Sequence, residues 1–182
     1  MVRRDAYAVA GVDIARANET KLQLKELVRA SQGDGVVGEL GGFGGLFRPP
    51  WKEYDDPILV SSVDSVGSKL KIAFASGIHD TVGMDIVFHC ANDILVQGAR
   101  PLFFMDYLGL GSHDPEVVKA LVSGVSRGCR EIGCSLIGGE TAELPEFYRA
   151  GEYDLAGSIV GIVDSAKIID GSAVEAGDQL IG

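Results

Sequence analysis

Apolar and polar positions along this chain switch between a helical and an extended period, and the switches mark its elements. Leu22, Leu24, Leu27 and Val28 give residues 17–31 a mostly one-sided apolar stripe, which predicts a helix. Pro57 to Val60 opens a strand that runs into Asp64. Gly67 to Ser76 reads as a short helix closed by Gly77. The apolar run from Val82 to Gln97 predicts a long helix that Asp80 or Thr81 can cap. Pro101 to Tyr107 reads as a buried strand. Residues 114–132 read as a helix opened by Asp114 and Pro115 and stopped by Gly133. Cys134 to Ile137 is a short buried strand, Tyr153 to Val163 alternates into another, and Asp178 to Gly182 looks like the opening of one more. Strands alternating with helices predict an α/β fold (an α+β sandwich) in which a mixed sheet packs against helices.

The long helix breaks its own pattern. Asp85, His89, Asn92 and Asp93 share one face of it, inside an otherwise apolar run. A polar stripe with carboxylates on a buried helix costs free energy unless something pairs with it, and a hard cation is the natural partner. The competing reading is a hydrogen-bonded internal helix. His89 and Asp93, four residues apart, imitate half of a zinc site, but no third ligand stands at a sensible spacing, so His89 reads as a hydrogen-bonded core histidine.

Composition narrows the partners. The 182 residues are 46% hydrophobic and 23% charged, which predicts one globular domain, and a net charge of −10 argues against nucleic acid. Phosphates remain open to it through Mg²⁺ or a few placed Lys and Arg. Cys90, Cys129 and Cys134 have no metal-ligand spacing and predict a reduced, cytoplasmic protein. No apolar run reaches membrane-spanning length, so no membrane partner is expected.

The 25 glycines are concentrated where chemistry is plausible. Gly33 to Gly38 matches Gly-x-Gly-x-x-Gly, but a helix precedes it and more glycine follows, so the dinucleotide reading fails its context. Leu40-Gly41-Gly42-Phe43-Gly44-Gly45-Leu46-Phe47 offers a loop rich in free N–H groups that can fold over a phosphate. Asp64-Ser65-Val66-Gly67-Ser68-Lys69 puts a carboxylate, hydroxyls and a lysine at a strand-to-helix turn, which suits a metal-bound phosphate. Gly138-Gly139-Glu140-Thr141-Ala142-Glu143-Leu144-Pro145 follows a buried strand, where two glycines allow close approach and Glu140 can ligate a metal or bind a substrate amine; the competing reading is a tight turn with solvated acids. Asp93-x-x-x-x-Gly98-Ala99-x-Pro101 closes the long helix.

In this order and spacing, these segments resemble the aminoimidazole ribonucleotide synthetase family, the phosphoribosylformylglycinamidine cyclo-ligases of purine biosynthesis. Ala10 to Asp13, His79 to Asp85, Pro101 to Tyr107 and Ile169 to Ser172 extend the resemblance over nearly the whole chain. The resemblance implies an N-terminal ATP-binding-type domain over residues 1–168 and the start of a truncated second domain at 169–182. It implies a homodimer whose two sheets pair into a β-barrel. ATP and Mg²⁺ are the implied cofactors, and formylglycinamidine ribonucleotide the substrate. Carried over residue by residue, Gly42, Phe43, Gly44, Ser68, Lys69, Asn92, Asp93, Gly98 and Thr141 line the nucleotide. Asp64, Asp93 and Glu140 hold the metal, and Lys69 and Glu140 support the chemistry. The implied reaction needs the second domain, so this chain alone is expected to be inactive. Ala8 and Val9 stand where the family has a Lys-Asp pair, Ser65 and Ser68 where it has Gly and Thr, and Phe88 and His89 where it has a small residue and Met. Two alternatives stay open. One is a sister enzyme of the superfamily, of the thiamine-monophosphate kinase, selenophosphate synthetase or formylglycinamidine ribonucleotide synthetase type. The other is a non-catalytic dimerisation domain.

Overall fold

The structure, a computed structural model, describes residues 24–38 and 44–181. Two short strands, β1 (Val36–Val37) and β2 (Leu46–Phe47), pair antiparallel ahead of the main sheet. That sheet consists of β3 (Pro57–Ser65), β4 (Arg100–Leu110), β5 (Ser135–Glu143) and β6 (Tyr153–Asp164). Their spatial order is β3-β6-β4-β5, so the last strand in sequence lies inside the sheet. β6 runs antiparallel to both its neighbours, and β4 and β5 are parallel. The fold is therefore the mixed sheet with helices that the alternating pattern predicts.

Besides the helical residues 24–29, three α-helices accompany the sheet among the described residues: α1 (Leu70–Ser76), α2 (Asp80–Leu95) and α3 (Pro115–Glu131). Gly77, at φ +68°, ends α1 in the left-handed conformation that a Cβ disfavours. Asp114 caps α3 by accepting from the Glu116 N–H at 3.0 Å, with Pro115 in the first turn. α3 closes in a Schellman motif. Gly133 sits at φ +66°, the Cys134 N–H reaches Cys129 O at 2.8 Å, and the Gly133 N–H reaches Arg130 O. That motif brings the residues three before and two after the cap into contact, here Cys129 and Cys134, both buried and free.

α2 and α3 cross almost backbone to backbone. A Cβ on Gly83 would collide with the Leu121 carbonyl, and one on Gly124 with the Asp80 carbonyl. Only glycine at both positions allows this approach. The helices cover one sheet face with Ile86, Val87, Ile94, Leu121 and Val125, which meet Phe104, Leu108, Leu136, Leu155 and Ile159. The opposite face is open. Val63 is 72% exposed and Leu59 51% on the edge strand β3, and Met105 and Tyr107 share that face on β4, with β6 between the two strands.

Several sequence expectations need correction. α2 begins at Asp80 itself, with His79 in the cap position and no side-chain cap bond. The Asp80 carboxylate instead pairs with Arg127 at 3.1 Å. The strand from Cys134 does not stop at Ile137. It runs through the expected turn to Glu143, because β4 offers a parallel partner along the whole length. Residues 178–181 form no strand, having no neighbouring strand to join. Residues 24–29 are helical, while 17–23 lie outside the described residues. No described helix is long and apolar enough to cross a membrane.

Candidate functional site

The polar stripe of α2 meets the edge strand β3 and the turn after it. Residues i, i+4 and i+8 of a helix lie one above the other, and alternate strand residues line one face. Asp85, His89 and Asp93 therefore face three successive partners. Asp85 pairs with Lys69. His89 Nε2 lies 2.9 Å from Asp64 Oδ2. The Ser62 hydroxyl donates to Asp93 Oδ2 at 2.6 Å. Each charged side chain of the first two pairs is about two-fifths exposed, so the seam opens to solvent. Asn92 is exposed beside it.

Local sequence explains the placement. β3 leaves the sheet at Ser65, where the Asp64 carboxylate accepts from the Ser65 N–H at 2.7 Å and Val66 anchors in the core. A 3-10 turn over Gly67–Lys69 then leads into α1, with Gly67 at φ +68°. This turn swings Lys69 back toward α2 and leaves Ser68 on the surface. Cys90, one residue from His89, faces the core, and its thiol hydrogen-bonds Gly157 O. Burial pushes that thiol up to about 11, and the Asp64 and Asp93 carboxylates add to the shift.

Glu140 is elsewhere. Asp64, Gly157, Asp106 and Gly139 form one register row across the sheet, which puts Glu140 on the opposite edge strand, about 14 Å from Asp64 by strand spacing. Glu140 is opposite Tyr107 and so shares the open face, whereas Asp64 shares the helix-covered face with Asp106 and Thr141. No group of three His, Cys, Asp or Glu among the described residues is arranged to hold a metal ion. Asp64 and Asp93 are hard oxygen donors of the kind Mg²⁺ takes, and such sites complete their shell with phosphate oxygens and water. Gly98, at φ +79°, makes the turn from α2 to β4. Gly44 is exposed in a bend two residues ahead of β2, and Gly42 and Phe43 lie outside the described residues.

Sequence reasoning passed over two residues. Ser62 becomes a partner of Asp93 only through strand register, which leaves no local signal. Asp106 did leave one, a single carboxylate inside an apolar strand. Burial pushes it up to about 7, and it occupies the space a Gly139 side chain would fill. His89 is partnered as expected, although half-exposed rather than in the core.

Comparison with known proteins agrees with the chain's motifs. Residues 51–163 match the family described as AIR synthase related protein, N-terminal domain. A phosphoribosylformylglycinamidine cyclo-ligase of Nitratidesulfovibrio vulgaris is 54% identical over 99% of this chain and 51% of that protein. One from Geobacter metallireducens is 55% identical over 97% of this chain and 51% of that protein. The chain thus spans about half the length of the curated relatives it matches. Among solved structures, thiamine-monophosphate kinase from Stenotrophomonas maltophilia superposes with a TM-score of 0.57 at 22% identity, over 79% of this chain and 42% of that one. The hydrogenase maturation protein HypE in complex with ATP gives 0.54 at 17% identity, over 81% and 41%. These two likenesses show the fold.

Proposed function

Because the chain belongs to the AIR synthase related protein family through its N-terminal domain, we propose that it forms the ATP-binding half of a phosphoribosylformylglycinamidine cyclo-ligase. The observation that carries this reading is the seam of Asp64, Asp93 and Lys69 between β3 and α2. Asp64 and Asp93 would hold Mg²⁺ against the phosphates of ATP, and Lys69, released from Asp85, would offset phosphate charge. Ser68 and the glycine-rich segment around Gly42, Phe43 and Gly44 would line the nucleotide, with Asn92, Gly98 and Thr141 as further contacts.

In the proposed reaction the formamide oxygen of formylglycinamidine ribonucleotide takes the γ-phosphoryl group and ADP leaves. An amidine nitrogen of the same molecule then attacks the activated carbon, phosphate departs, and the imidazole ring closes. Holding both reacting ends of one substrate together removes much of the entropic barrier. The metal, when bound, spreads the charge of the transferring phosphoryl group.

The open sheet face supports a homodimer. A barrel interior needs apolar side chains, and Leu59, Val63, Met105 and Tyr107 supply them. Closure would also bring the free edges β3 and β5 against a second copy, so Glu140 acts at that seam rather than beside Asp64 of its own chain. The setting is the cytoplasm, where the three free cysteines stay reduced.

The test is Asp93→Asn in the full-length protein that carries this chain. Mg-ATP-dependent ADP release should fall by about a hundredfold or more. Stability should drop by no more than about 1 kcal/mol, since only the Ser62 hydrogen bond is weakened. An unfolded variant whose remaining folded fraction is fully active would make Asp93 a helix residue without a catalytic part. The 182-residue chain alone should show no turnover.

A further inference from the structure

Two tyrosine rings and a carboxylate meet at one end of the open sheet face, away from the seam between β3 and α2. Residues paired across a sheet share a face, so Glu140, Tyr107 and Ala156 form one row there, and Ala142, Gly109 and Asp154 the row two residues on. The loop over residues 144–152 is fixed to this end backbone to backbone. The Leu144 N–H donates to Leu110 O at 2.7 Å and the Gly111 N–H to Glu152 O at 2.9 Å, and a Cβ on Gly111 would collide with the Arg149 carbonyl. This anchoring sets the Tyr148 ring beside Tyr107 above Gly109, where a Cβ would lie 3.1 Å from Tyr148 Cε2 and 3.3 Å from Tyr107 Cε1. Burial first, then the Asp154 carboxylate and the Tyr107 hydroxyl, push the Tyr148 hydroxyl above its ordinary value, so the three side chains are neighbours. Tyr107 is 38% exposed, which leaves its ring open to a ligand.

We propose that Tyr107, Tyr148 and Asp154, flanked by Glu140, receive the amidinium end of the substrate. The proposal rests on the cyclo-ligase reading, whose substrate carries an amidine, a group that is protonated in neutral water. Asp154 accepts from the Leu155 N–H and Glu140 from the Thr141 N–H, each at 2.9 Å, and neither has an ion-pair partner among the described residues. Aromatic faces beside an unneutralised carboxylate attract a cation. A flat amidinium also gives one carboxylate two parallel N–H bonds, which an ammonium does not. The small residues Gly109, Ala142 and Ala156 leave room for such a flat group beside the rings. Asp154 lies three residues, about 10 Å, beyond Gly157 and the row of Asp64, so the phosphate seam and this cluster occupy the same end of the sheet. That end is the mouth of the barrel a second copy would close, and barrel mouths commonly take ligands. Glu140 thereby gains a task on the face where the strand ladder puts it.

Steady-state kinetics of the full-length protein, with formylglycinamidine ribonucleotide and ATP varied separately, give the test. Asp154→Asn keeps an acceptor for the Leu155 N–H and so should keep its melting temperature. Its KM for formylglycinamidine ribonucleotide should rise about tenfold or more, while its KM for ATP stays within about twofold. Tyr148→Leu should raise the first KM about three- to fivefold, and Tyr148→Phe, which keeps the ring, should restore it. Acetamidinium should compete with formylglycinamidine ribonucleotide but not with ATP, and should compete less well in Asp154→Asn. Equal rises in both KM values, or no rise in any variant, would overturn the proposal and leave the cluster as loop packing. Should Asp154→Asn fail to fold, Tyr148→Leu against Tyr148→Phe decides. A parent protein that binds ATP but closes no ring on this substrate would sink the cyclo-ligase reading itself.

Discussion

The two faces of the main sheet come from the same strands and differ in what covers them. On one, Phe104, Leu108, Leu155 and Ile159 are sealed under α2 and α3. On the other, Val63 and Leu59 stand exposed one residue away from buried or paired neighbours. A strand that buries one face normally makes the other polar. Here both faces carry apolar side chains, with Asp106 a polar exception on the covered face and Ser158 and Glu140 on the open one, and the β3 edge turns polar where Ser62 and Asp64 meet α2. The lesson is that hydrophobicity alone does not separate the covered face from the open one, while charge sets apart the edge where β3 meets α2.

That contrast can be broken from either side. The largest effect belongs to the covered face. Phe104→Ala should cost about 3–5 kcal/mol in denaturant unfolding, because its fully buried ring fills the gap above Gly157 and leaves a cavity. A loss below about 1 kcal/mol would mean that this face is not the core.

Asp106 comes next, as the charged exception on the covered face. Its carboxyl is pushed from 3.8 up to about 7 by burial, so the folded protein holds a proton that the unfolded chain releases near pH 4. Stability should be greatest at low pH as far as this group is concerned, fall as pH rises from about 4 to about 7, and level off above. The loss is at most about 4 kcal/mol. Asp106→Asn should flatten that slope in urea titrations run across the window. An unchanged slope would place the carboxyl in contact with water.

The smallest effect on stability is expected on the open face. Val63→Lys should change unfolding free energy by less than about 0.5 kcal/mol while halving the particle mass, from a dimer to the 19.2 kDa chain. Light scattering decides it. A parent chain that is already monomeric at working concentration would remove the dimer from the comparison.

Much of this was readable in the residues, for physical reasons that vary along the chain. α3 was legible at both ends because Asp114, Pro115 and Gly133 act locally through a cap bond and a left-handed turn. The α2 stripe was legible because helical periodicity puts Asp85, His89 and Asp93 on one face whatever the tertiary fold. Their partners were harder to see, since Ser62 and Lys69 arrive through strand register and a turn. Glu140 shows where local reading fails. Gly138-Gly139 reads as a turn, yet pairing with β4 keeps the chain extended, carries Glu140 to the far edge and turns it to the open face. A strand ladder contributed by residues thirty positions away overrides local turn preference.

The central place of β6 has a consequence for how the molecule comes into being. β3 finds its partner only in residues 153–164, with Pro57 set against Asp164 and Ser65 against Ala156. During synthesis β3 must wait, unpaired and apolar, until nearly the whole described chain has been made. Pairings this distant in sequence close slowly, because the loop entropy is lost before any contact repays it. Through that interval the nascent chain carries an uncovered β-edge open to aggregation, until β6, the last of the described strands, slides into the middle of the sheet.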